Sequence, residues 1–249
     1  MLEVCVDDIG GLRQALAGGA GRIELCSALA CGGLTPSAAL FGAAVRAPVP
    51  VHVLIRPRAG NFLYDAPEEE LIAGDIRAAV EGGAAGLVIG ANRAAAQLDA
   101  PLLERLVRHA RAAAARRGRP VSLTLHRAFD VCADLIAALE TAIALGFNRV
   151  LTSGGAESAV AGREVLASLV RHARGRIGIL AAAGIDAGNV AAVLGTGVEE
   201  IHASCQVPEP APDAKLVRLG FAEARPAGAT AASVSALAAA IETWRRTRR

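Results

Sequence analysis

Chemistry-bearing residues in this 249-residue chain collect at the ends of short alternating stretches. Arg56-Pro57-Arg58 closes one of them. Guanidinium groups hold carboxylate or phosphate bidentately, so the pair suits an anionic ligand; for Arg56 the alternative is an ion pair with Glu24 or Glu3. His126 closes another stretch in a register that turns it inward. It serves either as a general acid/base with Glu24 nearby or as a hydrogen-bonded interior histidine. His52 and His202 fall lower in their stretches and read as structural. Thr152-Ser153-Gly154-Gly155 and Ala183-Gly184-Ile185-Asp186 resemble turns whose backbone N–H groups bind phosphate, a signal shared by any tight strand-to-helix turn. Ser204 with Cys205 ends the last stretch.

The thiols offer a second chemistry. Cys5 and Cys26 share an inward register at the ends of two neighbouring stretches, and Cys31 and Cys205 fall close to them. Soft thiolates select Cu(I) or Zn(II), and two or three suffice for Cu(I); the alternative is that these cysteines are small buried hydrophobes. No CxxC or CxC spacing is present, and the odd count of 5 in a chain without a secretory signal favours free thiols. A divalent metal on Glu24, His126 and His202 is a third chemistry.

Positioning these groups takes a regular framework. The sequence predicts strands near 2–6, 22–26, 50–56, 86–90, 121–126, 148–153, 177–182 and 199–204. Helices are predicted near 8–18, 36–46, 67–82, 99–117, 132–145, 157–174 and 187–194, with a last one at 231–247. Thr35-Pro36 reads as a capping hydroxyl followed by proline in the first helical turn. A helix, a glycine stop and a short strand recur, as in Glu81-Gly-Gly-Ala-Ala-Gly-Leu-Val-Ile89, where glycine takes the left-handed conformation cheaply. Eight strand–helix units give the tally of a single-domain α/β (β/α)8 TIM barrel, with a doubly wound open sheet as competitor. Alternation decides between them. Val4, Val6, Ile23, Leu25, Val51, Val53, Ile55, Val121, Leu123, Leu125 and Ile201 make one apolar set. The opposite set is Glu3, Cys5, Glu24, Cys26, His52, Arg56, Ser122, Thr124, His126, Glu200, His202 and Ser204. An open sheet covered on both faces would be apolar on both, whereas a barrel can hold the polar set inside. Residues 206–228, with four prolines, form the longest connection and read as a lid, a subunit contact or a mobile insertion.

Composition narrows the function. The net charge of +2 requires no acidic partner, and the basic run from Arg105 to Arg119 lies on one alanine-rich helix without interleaved aromatics, so no nucleic-acid surface is expected. No apolar run is long enough to cross a bilayer, and Glu3, Asp7 and Asp8 do not belong to a secretory signal, so a soluble cytoplasmic protein without membrane contact is expected. Lys215 is the only lysine among 26 basic residues and lies in the proline-rich connection, which excludes a Schiff-base aldolase.

The combination of Glu3-Val-Cys-Val6, Arg22-Ile-Glu-Leu-Cys-Ser27, Gly32-Gly-Leu-Thr-Pro-Ser37, Arg56-Pro-Arg58 with Gly60, Phe62 and Tyr64, His126-Arg-Ala-Phe-Asp130, Arg149-Val-Leu-Thr-Ser-Gly154 and Glu200-Ile-His202 with Ser204 resembles the copper homeostasis protein CutC family. The resemblance runs in order over about 200 residues. It implies a barrel, a cytoplasmic location, a homo-oligomer (a dimer is favoured), a role in copper handling, and Cys5 and Cys26 as Cu(I) ligands. Ala181-Ala-Ala183 stands where the family usually has glycines. Two functions are therefore expected: copper homeostasis with Cu(I) on Cys5 and Cys26, or an enzyme acting on a small anionic metabolite such as a phosphorylated one. In the second, Arg56, Arg58, Ser153, Gly154, Gly184 and Ser204 would hold the substrate while His126 and Glu24 move a proton.

Overall fold

In the computed structural model, which describes residues 1–222 and 227–248, the eight predicted strands close into a ring of parallel neighbours. They are β1 (Leu2–Val6), β2 (Arg22–Leu25), β3 (Val51–Leu54), β4 (Gly86–Ile89), β5 (Ser122–Leu125), β6 (Arg149–Thr152), β7 (Gly178–Ala181) and β8 (Glu200–Ala203). Closure comes from β8 pairing with β1, where Glu3 lies opposite His202 and Val4 opposite Ala203. The helices between them are α1 (Ile9–Ala17), α2 (Ala38–Ala44), α3 (Ala66–Gly82), α4 (Ala100–Arg117), α5 (Leu135–Leu145), α6 (Arg163–Ala173) and α7 (Val190–Leu194); α8 (Ala231–Arg246) follows β8. The TIM barrel expected from the alternation is the observed fold, and the open sheet is excluded.

Local chemistry sets the boundaries. Asp65 and Glu68 form a reciprocal capping box at the start of α3, and Gly83 ends that helix at φ 113°, in the left-handed region that glycine enters without a Cβ clash. Several helix starts differ from the sequence reading: α5 begins at Leu135 and not 132, α6 at Arg163 and not 157, and α7 at Val190 and not 187. α2 is capped by Ser37, which accepts from the Leu40 N–H, and not by Thr35. The Thr35 hydroxyl instead exchanges hydrogen bonds with the backbone of Arg56, accepting from its N–H at 3.0 Å and donating to its carbonyl at 3.2 Å. The loop after β2 is thereby pinned to the end of β3.

The two faces of the strands separate as the period-2 pattern requires. Val4, Val6, Ile23, Leu25, Val53, Ile55, Leu123, Leu125 and Ile201 are buried in one large apolar cluster between sheet and helices. The opposite set fills the lumen. Arg22 bridges Glu3 and Glu200, Arg149 lies 3.2 Å from Glu200 and donates to the Ser122 hydroxyl at 2.7 Å, and His202 Nδ1 is 2.7 Å from Glu3 Oε1. β4 makes room for this polarity by having glycines on its inner face. A Cβ at Gly86 would come within 2.5 Å of the His52 ring, and one at Gly90 within 2.4 Å of the His126 ring. The lumen is not polar throughout: Cys26, Leu54 and Val88 form one apolar group and Leu151, Leu180 and Ala182 another.

Glu3 is fully buried. Burial alone would raise its pKa, but the hydrogen bond from His202 and the charges of His202 and Arg22 outweigh it and hold the carboxyl well below the usual range. Breaking a buried pair by removing one partner leaves an uncompensated charge and costs about 3–5 kcal/mol. Urea unfolding at pH 7 should therefore show Glu3→Gln destabilised by roughly this amount, and a loss below about 1 kcal/mol would contradict the assignment.

Candidate active site

The carboxyl ends of the strands surround a cavity of about 330 Å³, with Cys5, Glu24, Arg56, Phe62, His126, Gly184, His202 and Ser204 among its lining. This is the end at which barrels of this kind carry their sites. Six of the ten residues singled out in the sequence meet here: Cys5, Glu24, Arg56, His126, Gly184 and Ser204.

Arg56 is held rigidly. Its Nη1 donates to the carbonyls of Cys31 and Gly33, both at 3.0 Å, and its Nη2 to the Gly60 carbonyl at 2.9 Å. Its Cζ lies 5.0 Å from the centre of the Phe62 ring, and Phe62 in turn lies 4.9 Å from the His126 ring. Only Nε is left without a partner. The anticipated ion pair to Glu24 or Glu3 is not formed; carbonyls solvate the cation instead.

His126 opens a turn of 3₁₀ helix over Arg127–Val131, and the Ala128 N–H donates to its Nδ1 at 3.0 Å. Nδ1 is therefore an acceptor, and the ring proton sits on Nε2, which is buried and has no partner. Burial, then the neighbouring Arg56 charge, lowers the pKa to about 3. At neutral pH His126 is thus a neutral imidazole in the cavity lining, with its Nε2–H unpaired.

Glu24 has the opposite disposition. Burial, with a further push from Glu3, outweighs the pull of His202 and raises its pKa to about 7, and its Oε2 has no hydrogen-bond partner. Glu24 is thus the cavity carboxyl whose pKa lies nearest neutrality. For His202, burial lowers the pKa, but Cys5, Glu24 and Glu3 overcome this and raise it well above the ordinary value. The sequence read His202 as structural or as part of a metal set with Glu24 and His126; the structure sets it in the cavity wall.

Four of the ten lie elsewhere, each for an identifiable reason. Arg58 turns outward to pair with Glu68 and donates to the Leu63 carbonyl at 2.6 Å, bracing the start of α3. The backbone N–H groups of Ser153 and Gly155 donate to the Asp130 carboxylate at 3.1 and 3.0 Å, and the Gly154 N–H to the Thr152 hydroxyl at 2.8 Å. Asp130 therefore occupies the place a phosphate would take at Ser153 and Gly155, and Thr152 takes up the Gly154 N–H. Cys26 is fully buried beneath Gly33, and its Sγ donates to the Val6 carbonyl at 3.5 Å. Burial also pushes its thiol far up.

Phe62, Asp130 and Arg149 carry parts of this arrangement that residue type alone did not reveal. The signal for Asp130 was its spacing from His126, four residues on, across a turn. Among the described residues, the group that brings three metal-ligating atoms within 4.8 Å of one another is Glu3, Glu24 and His202. His202 Nδ1 already pairs with Glu3 Oε1 at 2.7 Å, so an ion held through that nitrogen would have to displace this contact.

A closed parallel barrel with unpaired donors and a carboxyl group of raised pKa at its mouth defines a TIM-barrel protein with a polar cavity at the carboxyl ends of its strands. The family is specific: the CutC family model matches residues 1–207, and the chain belongs to the CutC family. It is 48% identical over 243 residues to a CutC family protein of Sinorhizobium medicae, covering 97% of this chain and 96% of that protein. The crystal structure of a candidate copper homeostasis protein CutC from Streptococcus agalactiae superposes with a TM-score of 0.75 at 30% identity, over 82% of this chain and 98% of that one. Deoxyribose phosphate aldolase from Aeropyrum pernix, at 16% identity and a TM-score of 0.56 over 82% of this chain and 85% of that one, shares the fold alone.

The Glu24 pKa carries a stability signature. Its folded value of about 7 lies above the ordinary 4.5, so protonation favours the folded state fully below pH 4.5, and this contribution is lost as pH rises through about 7. Denaturant titrations across that window should show stability falling with pH, and the fall should be shallower in Glu24→Gln. Parallel curves for the two proteins would show that Glu24 titrates as an ordinary carboxylate.

Proposed function

We propose that this CutC family chain is an enzyme that binds a small anionic metabolite at the barrel mouth and moves a proton on it. The observation that carries the reading is that Arg56 Nε, His126 Nε2 and Glu24 Oε2, three buried polar atoms without partners, belong to residues lining one cavity. A buried polar group left unpaired costs about 1–3 kcal/mol, and a ligand that meets all three recovers that cost on binding. Arg56 supplies fixed positive charge without needing to reorganise. His126 supplies a neutral N–H toward an oxygen on which negative charge develops. Glu24, with its pKa near 7, is close to equally able to give or take a proton at neutral pH. Gly184 and Ser204 add the opposite rim. No described helix is long and apolar enough to cross a membrane. Exposed Leu216, Leu219 and Phe221 beyond β8 suit a homo-oligomer, with a dimer favoured.

A second reading, copper homeostasis, draws on the family and on the role carried in the name of the Streptococcus agalactiae protein. Cu(I) would then be cargo. Cys5 faces the cavity, but Cys26 would have to release the Val6 carbonyl and emerge from beneath Gly33 to join it. Titration of the reduced protein with Cu(I) against a competing chelator decides this reading: Cys5→Ser/Cys26→Ser should lose the tight site, and unchanged affinity removes those ligands.

The enzyme reading is tested by thermal shift against a panel of small phosphorylated and carboxylated metabolites. A ligand at one hundred times its Kd stabilises by about 2.7 kcal/mol, and each kcal/mol moves Tm by about 2–4 °C at this chain length. Arg56→Gln should weaken binding by about one to two orders of magnitude, the cost of losing a desolvated charged partner. Stabilisation that survives this substitution would contradict the anion clamp.

A further inference from the structure

We propose that Cys5 is the nucleophile of this site, with His202 as its proton partner and Glu3 as the residue that positions His202. The inference rests on the anion-site reading and names its substrate class: a small carboxylate or phosphate ester bearing an electrophilic carbonyl carbon.

The pairing of β1 with β8 supplies the geometry. Glu3 lies opposite His202, and Cys5, two residues further along β1, points from the same face. His202 is therefore flanked by a carboxylate on one side and a thiol on the other. Its Nδ1 is fixed by Glu3 Oε1 at 2.7 Å, which leaves Nε2 for the thiol side. A nucleophile, a base and a third group that orients the base are the arrangement that activates cysteine in unrelated folds. The sulfur is also free in a way that others are not. Cys26, Cys31 and Cys132 each donate to a backbone carbonyl, of Val6, Ala28 and Ala128 respectively, whereas no such contact is formed by Cys5. Glu24 joins Glu3 on the Nδ1 side of His202, its Oε2 lying 4.0 Å from that nitrogen.

The step balances without a co-reactant. The Cys5 thiolate attacks the carbonyl carbon and forms the C–S bond, and the carbonyl π pair moves onto oxygen, facing the His126 Nε2–H. The proton held by His202 passes to that oxygen, leaving a hemithioacetal or hemithioketal and a neutral imidazole. Arg56 holds the anionic end of the same molecule.

Two small alkylating probes test this: iodoacetate, which carries the carboxylate, and neutral iodoacetamide. The reduced full-length protein is treated with each, and modification is followed at every cysteine by mass spectrometry, with exposed Cys31 as internal control. Cys5, though only 4% exposed, should be labelled by iodoacetate ahead of Cys31 and at least tenfold faster than by iodoacetamide once both are normalised to Cys31. His202→Gln should slow labelling at Cys5 at least tenfold with both probes and leave Cys31 unchanged. Arg56→Gln should abolish only the preference for iodoacetate. Cys5 lagging behind Cys31 in the native wild-type protein overturns the proposal without recourse to any variant, as does an unchanged Cys5 rate in folded His202→Gln. Rapid, His202-dependent labelling with no preference between the probes would instead retain the nucleophile and remove the anion site.

Discussion

The structure depends on a charge that has been taken out of water. Glu3 sits in the closed centre of the barrel with no solvent contact, and it is tolerable there only because Arg22 and His202 reach it from the two strands flanking β1. A buried ion pair of this kind is weak as a source of stability, since desolvation consumes much of the Coulombic gain. What it does is fix register. A one-residue slip of β1 against β2 or β8 would turn Glu3 toward the apolar layer beneath the helices and leave Arg22 and His202 unpaired in the lumen.

From that anchor the polarity of the lumen grades upward. At the base the charges close on one another through Glu200, Arg149 and Ser122. Toward the mouth the pairing runs out: Glu24, Arg56 and His126 each keep one polar atom unsatisfied. The same low-dielectric surroundings that strengthen the base make these atoms costly to leave bare. A barrel that is self-neutral below and incomplete above is poised to bind something polar at its open end.

Much of this was legible in the sequence, for a definite reason. Alternation with a period of two survives as long as the strand does, so Glu3, Cys5, Glu24, Arg56, His126 and Ser204 could be assigned to the inner face from spacing alone. Arg58 was misplaced because it lies past the end of β3, beyond Pro57, where that period no longer applies. Ser153 and Gly154 kept the look of a phosphate loop because the carboxylate that fills it, Asp130, arrives from 22 and more residues away. The depth of Cys26 depends on the Gly32–Gly33 loop folding back over it, and the protonation state of His126 on a backbone N–H two residues ahead. Register is a local property of sequence. Occupancy of a donor by a distant partner is not.

The account stands or falls on the charge states inside the barrel, and the nitrogens of the five histidines report them directly. In the ¹⁵N spectrum of histidine-labelled protein between pH 5 and 8, His126 should hold as the neutral Nε2–H tautomer throughout while His202 stays protonated on both nitrogens. If instead both rings titrate near the ordinary value of 6.5, neither the buried ion cluster nor the poised donor at the mouth exists as described.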